Sequence, residues 1–151
     1  MYKLKLSTRF SALLFLAVVA GAVSGCGDGR PARVKVSGYI TVEGQPLKFG
    51  GVSFKPVGGG RAAGGGVNSD GQYLTTMYKL NDGLPPGSYM VAVNAVENIN
   101  DKSQRWHAPK GYSKHETSGL SVEITEETTD LNFDLTWEVD EKHAAAWVEK
   151  L

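Results

Sequence analysis

The stretch VKVSGYITVEGQP, residues 34–46, decides the fold class. Every second position before the turn holds an apolar residue or glycine, namely Val34, Val36, Gly38, Ile40 and Val42. The positions between them hold Lys, Ser, Tyr and Thr. Successive side chains of a strand point to opposite faces of a sheet, so this alternation predicts a strand with one buried face. The tetrapeptide EGQP at residues 43–46 then has the composition of a turn.

The same alternation returns in short segments that are separated by Gly, Pro, Asn and Asp. The further predicted strands cover residues 52–55, 72–76, 89–95, 120–124 and 131–136. About seven short strands with such turns are typical of a β-sandwich, and we expect an all-β fold of this kind over residues 33–137.

Three segments interrupt the strand pattern. Residues 58–66 contain six glycines in nine positions, which indicates a flexible loop or a poorly specified strand edge. Residues 97–118 are polar, without a clear period, and are interpreted as a long loop. Near the end, His143, the run of alanines and Trp147 lie at helical spacing, so we expect a short C-terminal helix over residues 138–151, packed through Trp147.

The first 25 residues have the features of a secretion signal. Three basic residues in positions 1–9 precede an apolar run over residues 10–23, and small residues follow. A helix of that length spans about 21 Å, which is short of the ~30 Å hydrocarbon core of a bilayer. A cleaved signal peptide over residues 1–25 is therefore predicted in preference to a transmembrane anchor.

The residues VSGC at positions 23–26 resemble the bacterial lipobox, and Cys26 is the only cysteine of the chain. The resemblance implies that Cys26 becomes an acylated N-terminus, followed by a tether through residue 32. Two or more acyl chains hold a protein at a membrane, whereas one gives marginal binding. We expect an exported protein, lipid-anchored to a bacterial membrane, with its domain in the periplasm or at the cell surface. The alternative is an ordinary signal peptide cleaved nearby, which would leave Cys26 a free thiol.

Charge and cysteine content exclude some partners. The mature chain carries 13 basic against 16 acidic residues, a formal charge of −3, and therefore lacks the basic excess expected of a nucleic-acid-binding protein. A single cysteine has no disulfide partner within the chain. We therefore expect the fold to be stabilised by its apolar core alone.

Several of these segments carry a resemblance to a known family. VSGYITVEGQPL at 36–47 and GVSF at 51–54 are similar to the opening of carboxypeptidase regulatory-like domains, which belong to the transthyretin-like sandwiches. DGQY at 70–73 and LPPGSY at 84–89 resemble that family's later turn-and-strand signatures. The resemblance extends over about residues 34–93. It implies a transthyretin-like, immunoglobulin-like sandwich that acts as an accessory module and brings no catalytic residues.

The sequence offers no convergent catalytic or metal-binding set. It contains neither a Gly-x-Ser-x-Gly elbow nor a His-Glu-x-x-His pattern, so we expect no enzyme activity and no cofactor. His107, His115 and Glu116 share one aperiodic segment, at a spacing that does not favour a common metal ion. The residues NSDG at 68–71 lack the later carboxylates of a calcium loop and are interpreted as a hairpin turn.

The candidate binding loop comprises Arg105, Trp106, His107 and Tyr112. Exposed loop aromatics can stack on sugar rings or contact partner proteins, although Trp106 could instead cap the end of the core. The leading prediction is a non-catalytic envelope lipoprotein, a protein-interaction or structural module that uses this loop or an edge strand. The alternative is a carbohydrate-binding module in which the same aromatics contact envelope polysaccharide.

Overall fold

The computed structural model describes residues 29–140 and 148–150. The predicted signal peptide and Cys26 lie outside the described residues. Within the described ranges, no helix is both long enough and apolar enough to cross a membrane.

The regular secondary structure of the described residues is almost entirely strand, which confirms the predicted all-β class. The strands are β1 (Ser37–Val42), β2 (Gln45–Pro46), β3 (Gly51–Pro56), β4 (Ala63–Gly66), β5 (Gln72–Leu74), β6 (Gly87–Asn94), β7 (Val96–Asn100), β8 (Ser103–Trp106), β9 (Leu120–Ile124), β10 (Phe133–Leu135) and β11 (Val148–Lys150). Two short 3-10 helices cover Lys110–Ser113 and Trp137–Asp140.

The stretch that decided the fold class lies at the centre of the first sheet. β1 pairs in parallel with β10 on one edge, and antiparallel with β5 and β2 on the other. Because residues alternate in β1, Ile40 is fully buried while Tyr39 points outward and is 44% exposed. The hairpin turn into β2 places Glu43 and Gly44 at positive φ.

The second sheet is antiparallel, in the order β4-β3-β6-β9. Phe54 of β3 is fully buried, and its ring centroid lies 5.9 Å from that of Tyr73 and 6.4 Å from that of Phe133. Since Tyr73 and Phe133 belong to β5 and β10 of the first sheet, these rings join the two sheets across one core. The architecture is therefore sandwich-like.

The two sheets are also linked along one side by backbone pairing between β4 and β5. Gly64 pairs with Thr76, and Val67 pairs with Tyr73. A Cβ at Gly65 would lie 2.3 Å from the carbonyl oxygen of Leu74, so only glycine permits this approach. The end of the glycine-rich stretch, Ala63–Gly66, is thus an ordered strand, which agrees with the strand-edge alternative for these residues.

The segment interpreted as one long loop contains a hairpin instead. β7 and β8 pair antiparallel, and the turn between them is stabilised by the Asn100 side chain, which accepts hydrogen bonds from the Lys102 backbone N–H and the Ser103 hydroxyl. Both faces of this hairpin are largely polar and partly exposed, so its sequence lacks the alternation that marks a half-buried strand.

The expected C-terminal helix is not found where the structure describes the tail. Trp137–Asp140 forms one 3-10 turn, and residues 141–147, including Trp147, lie outside the described residues. Val148–Lys150 is a strand that pairs antiparallel with β8, so the helix prediction is wrong for these residues. The physical reason is that the edge of β8 offers backbone hydrogen-bonding groups that a returning strand can satisfy.

Candidate interaction surfaces

The aromatic rings of the predicted binding loop are buried. Trp106, at the end of β8, is 6% exposed, and Tyr112, in the first 3-10 helix, is 5% exposed. The Lys110 ammonium lies 5.4 Å from the centroid of the Trp106 ring, and the Tyr112 hydroxyl accepts a long hydrogen bond from the Thr136 backbone N–H at 3.4 Å. Neither ring offers a free face for stacking on a sugar: Tyr112 belongs to the core cluster, and Trp106 is buried beside it in the chain.

Arg105 and His107, the polar members of that loop, share a carboxylate at the surface. Nε2 of His107 lies 2.8 Å from Oε2 of Glu97, and Nη1 of Arg105 lies 3.6 Å from the same oxygen. The His107 ring also contacts Phe49, with 5.3 Å between ring centroids. The sequence did not single out Glu97 or Phe49, because the pairing of β7 with β8 is needed to bring Glu97 opposite Arg105.

A serine and a histidine also meet on the outer side of the second sheet. Nε2 of His115 lies 3.2 Å from Oγ of Ser53, and the neighbouring Glu116 forms an ion pair with Lys55 at 2.9 Å. The hydrogen bond from Lys55 holds the pKa of Glu116 below its usual value. Within the described residues, no carboxylate is hydrogen-bonded to His115, so this pair lacks the orienting group of a catalytic triad.

Metal binding has no support in the described part of the chain. Residues 29–140 and 148–150 contain no cluster of three or more His, Cys, Asp or Glu side chains that could hold a metal ion. In the NSDG turn, Oδ1 of Asn68 accepts hydrogen bonds from the backbone N–H groups of Asp70 and Gln72. This closed turn matches the hairpin interpretation, and Gly71 at φ +83° completes it.

The outer face of the first sheet carries an exposed apolar surface that the sequence analysis did not select. Leu74 of β5 is 45% exposed and lies diagonally across from Tyr39 of β1. Leu80, in the following turn, is 85% exposed. Two clefts of about 300 and 190 Å³ adjoin this surface, and both are lined by Leu74 and Asn81. We call Tyr39, Leu74 and Leu80 the outer-face patch.

A larger cleft, of about 430 Å³, opens where the chain enters the domain. It is lined by Pro31, by the loop between β3 and β4, and by the segment that leads into β6. We call it the tether-end cleft. The charged side chain in its wall is Arg61, whose Nε donates a 2.8 Å hydrogen bond to the Met77 carbonyl and whose guanidinium carbon lies 5.0 Å from the Tyr78 ring centroid.

A second arginine supports the same ring from within the fold. The Arg33 guanidinium carbon lies 5.1 Å from the Tyr78 ring centroid, and its Nε lies 3.1 Å from Oδ2 of Asp82. Burial acts to raise the pKa of Asp82, but hydrogen bonds from the backbone at Met77, Lys79 and Tyr78, together with Arg33, hold it below its usual value. The charge of Arg33 is therefore balanced by Asp82.

The comparisons with known proteins give no independent identification of either surface. No protein-family model, no curated protein and no solved structure matches this chain.

Proposed function

We propose that this protein is a non-catalytic, lipid-anchored module of the bacterial cell envelope, and that it binds a partner protein through the outer-face patch. The anchoring part rests on the lipobox-like residues 23–26 with Cys26. The transthyretin-like identity of the sandwich, which rests on the sequence resemblance, belongs to the same proposal. The observation that carries the binding part is the exposed patch itself.

The patch has the properties of a protein-binding surface. Tyr39 and Leu74 project from paired strands, so their positions are fixed by the sheet, and Leu80 adds an apolar side chain that is almost fully exposed. Clusters of exposed large apolar side chains beside clefts are typical of interaction sites, because covering them removes apolar area from water. A partner side chain could enter the larger of the two adjoining clefts.

This surface replaces the loop as the preferred contact. A carbohydrate module that uses Trp106 and Tyr112 would need to expose rings that are at most 6% exposed here. The edge strand β9 is less suited to a contact with a partner. It carries Glu123 at an exposed position and is followed by Glu126 and Glu127, and such charges oppose the addition of a further strand.

The non-catalytic part rests on the arrangement of the reactive side chains. Ser53 and His115 are in contact, but the described residues supply no orienting carboxylate, and neither residue lines the two clefts beside the outer-face patch or the tether-end cleft. Catalysis needs a nucleophile, a base and a place for the reacting group together. The Ser53–His115 contact therefore favours a structural role over hydrolysis.

The test of the binding part is site-specific photo-cross-linking of the full-length protein in intact cells. A photoreactive phenylalanine analogue at position 74 should yield a discrete protein adduct, while the same analogue at position 123 should not. An adduct at position 123 alone would assign the contact to β9. Co-purification of glycan without any protein adduct would favour the carbohydrate alternative and reject our proposal.

The test of the anchoring part is metabolic labelling with a radioactive fatty acid. The wild-type chain should incorporate the label and sediment with membranes, and Cys26→Ala should not be labelled. A label-free wild-type protein that is released from the cell would contradict lipid anchoring and leave the cross-linking result to be judged separately.

A further inference from the structure

We infer that the tether-end cleft is a second binding site, in which Arg61 binds the phosphate of an anionic phospholipid headgroup while Val57 contacts the membrane interface. This inference rests on the lipid anchoring of the proposed function. It goes beyond that function because it assigns a lipid-binding site within the domain itself and thereby an orientation of the domain on the membrane.

The first argument is the position of the cleft along the chain. Pro31 lines the cleft and follows Cys26 by five residues. An extended chain spans at most about 3.6 Å per residue, so an acylated Cys26 would hold the mouth of the cleft within about 18 Å of the headgroup layer. Two of the four residues between Cys26 and Pro31 are glycines, and a linker of such composition allows that distance to close.

The second argument is the state of Arg61. Its Nε is held by the Met77 carbonyl, and its guanidinium group lies against Tyr78, so the remaining N–H groups are positioned before any ligand arrives. In the described part of the chain, no carboxylate forms an ion pair with Arg61. A guanidinium group presents parallel N–H donors that match two phosphate oxygens.

The third argument is the composition of the cleft and its rim. Its lining residues include no Asp or Glu, and one wall is formed by Gly58, Gly59 and Gly60, which have no side chains to keep a headgroup away. Val57, directly before these glycines, is 61% exposed. An apolar side chain beside a cation suits the membrane interface, because the apolar side chain can contact the acyl boundary while the cation contacts the phosphate.

The backbone places these features at the same end of the domain. Pro56 pairs with Tyr89, so the loop after β3 and the start of β6 lie together, and Val34 pairs with Leu84 beside them. The turn between β4 and β5, which contains Ser69, lies at the opposite end because β5 runs antiparallel to β1. Ser69 therefore offers a matched control position.

The experiment uses the full-length, acylated protein in vesicles. Acylation blocks the thiol of Cys26, so Val57→Cys or Ser69→Cys supplies one site for an environment-sensitive fluorophore. We expect a blue shift for the label at position 57, but not at position 69, when the anionic lipid phosphatidylglycerol is added to phosphatidylcholine vesicles. The shift should disappear in 0.5 M salt, because the Debye screening length then falls to roughly 5 Å or less.

Substitution of Arg61 tests the specific contact. Arg61→Gln should lower the ratio of docked to undocked protein about fivefold, which corresponds to about 1 kcal/mol for one basic side chain at an anionic surface. Arg61→Lys should retain part of the shift, since the charge remains while the paired donors are lost. A urea midpoint equal to that of the wild type would show that Arg61→Gln leaves the fold intact.

Each contrary result has one meaning. An acylated protein without a shift at position 57, or with an unaltered shift in Arg61→Gln, overturns this inference and leaves the anchoring proposal standing. Reaction of the fluorophore with the thiol of Cys26, together with loss of the protein from vesicles, rejects the anchor and this inference together. A fluorescence change on adding glycerol 3-phosphate to detergent-solubilised protein, without a shift at position 57 on anionic vesicles, would assign the cleft to a soluble phosphate ester and reject the lipid as its ligand.

Discussion

The buried hydroxyl of Tyr73 allows the internal polar contacts of this sandwich to be tested. Tyr73 is 1% exposed, and its hydroxyl donates a 2.6 Å hydrogen bond to the backbone carbonyl of Leu131, on the other side of β1 in the same sheet. Burial raises the pKa of this hydroxyl, so it remains a protonated donor at ordinary pH. Gly38 makes the contact possible, because a Cβ there would lie 1.9 Å from the same carbonyl oxygen.

We expect Tyr73→Phe to lower the free energy of unfolding by about 1–3 kcal/mol, the usual cost of leaving a buried acceptor without its donor. The ring contacts with Phe54 and Phe133 are preserved in this variant, so loss of packing adds little. For a domain of about this size, each 1 kcal/mol lowers the melting temperature by roughly 4 °C. The expected decrease is therefore about 4–12 °C.

The assay is urea unfolding of the purified protein, followed by circular dichroism and by tryptophan fluorescence. Tyr39→Phe is the matched control: its side chain is 44% exposed on the outer face of β1, and its unfolding midpoint should stay close to that of the wild type. Gly38→Ala should be more destabilising than Tyr73→Phe, because it must displace backbone. Equal midpoints for Tyr73→Phe and the wild type would refute the reasoning that this hydrogen bond satisfies the Leu131 carbonyl.

Two further predictions concern the join between the sheets and the entry of the chain into the domain. Gly65→Ala should lower the free energy of unfolding by more than about 1 kcal/mol, because its Cβ would meet the Leu74 carbonyl oxygen. A Cβ at Gly66 would have no atom within 4 Å, so the free energy of unfolding of Gly66→Ala should stay within about 0.5 kcal/mol of the wild-type value. Similar urea midpoints for both variants would contradict the close approach of β4 to β5. Because the pKa of Asp82 is lowered in the folded state, its contribution is present above the unfolded pKa of about 3.9 and is lost as pH falls below that value. The free energy of unfolding should therefore fall more between pH 6 and pH 3 for the wild type than for Asp82→Asn, and these pH values lie about 1–2 units from the reference pKa. The measurement is urea unfolding at both pH values. Equal losses in the two proteins would show that the Arg33–Asp82 pair does not contribute to stability.

The sequence by itself determined the all-β class and most of the core strands. β1, β3, β6, β9 and β10 fall on the segments whose residues alternate between apolar and polar types. Their period is local, because a strand with one buried face must repeat every two residues wherever it lies in the fold. The lipobox-like segment at Cys26 is likewise readable without a structure, and its acylation remains a prediction.

Only the tertiary structure decided which side chains are exposed and which groups meet. Trp106 and Tyr112 belong to a polar, aperiodic segment, so their local pattern left open whether they contact a partner or pack inward, and the tertiary structure buries both. The pairing of β11 with β8 likewise depends on a distant strand edge that no local pattern records. Exposure of Leu74 and the approach of Arg61 to Tyr78 depend on contacts between segments far apart in sequence, and local periodicity carries no information about them.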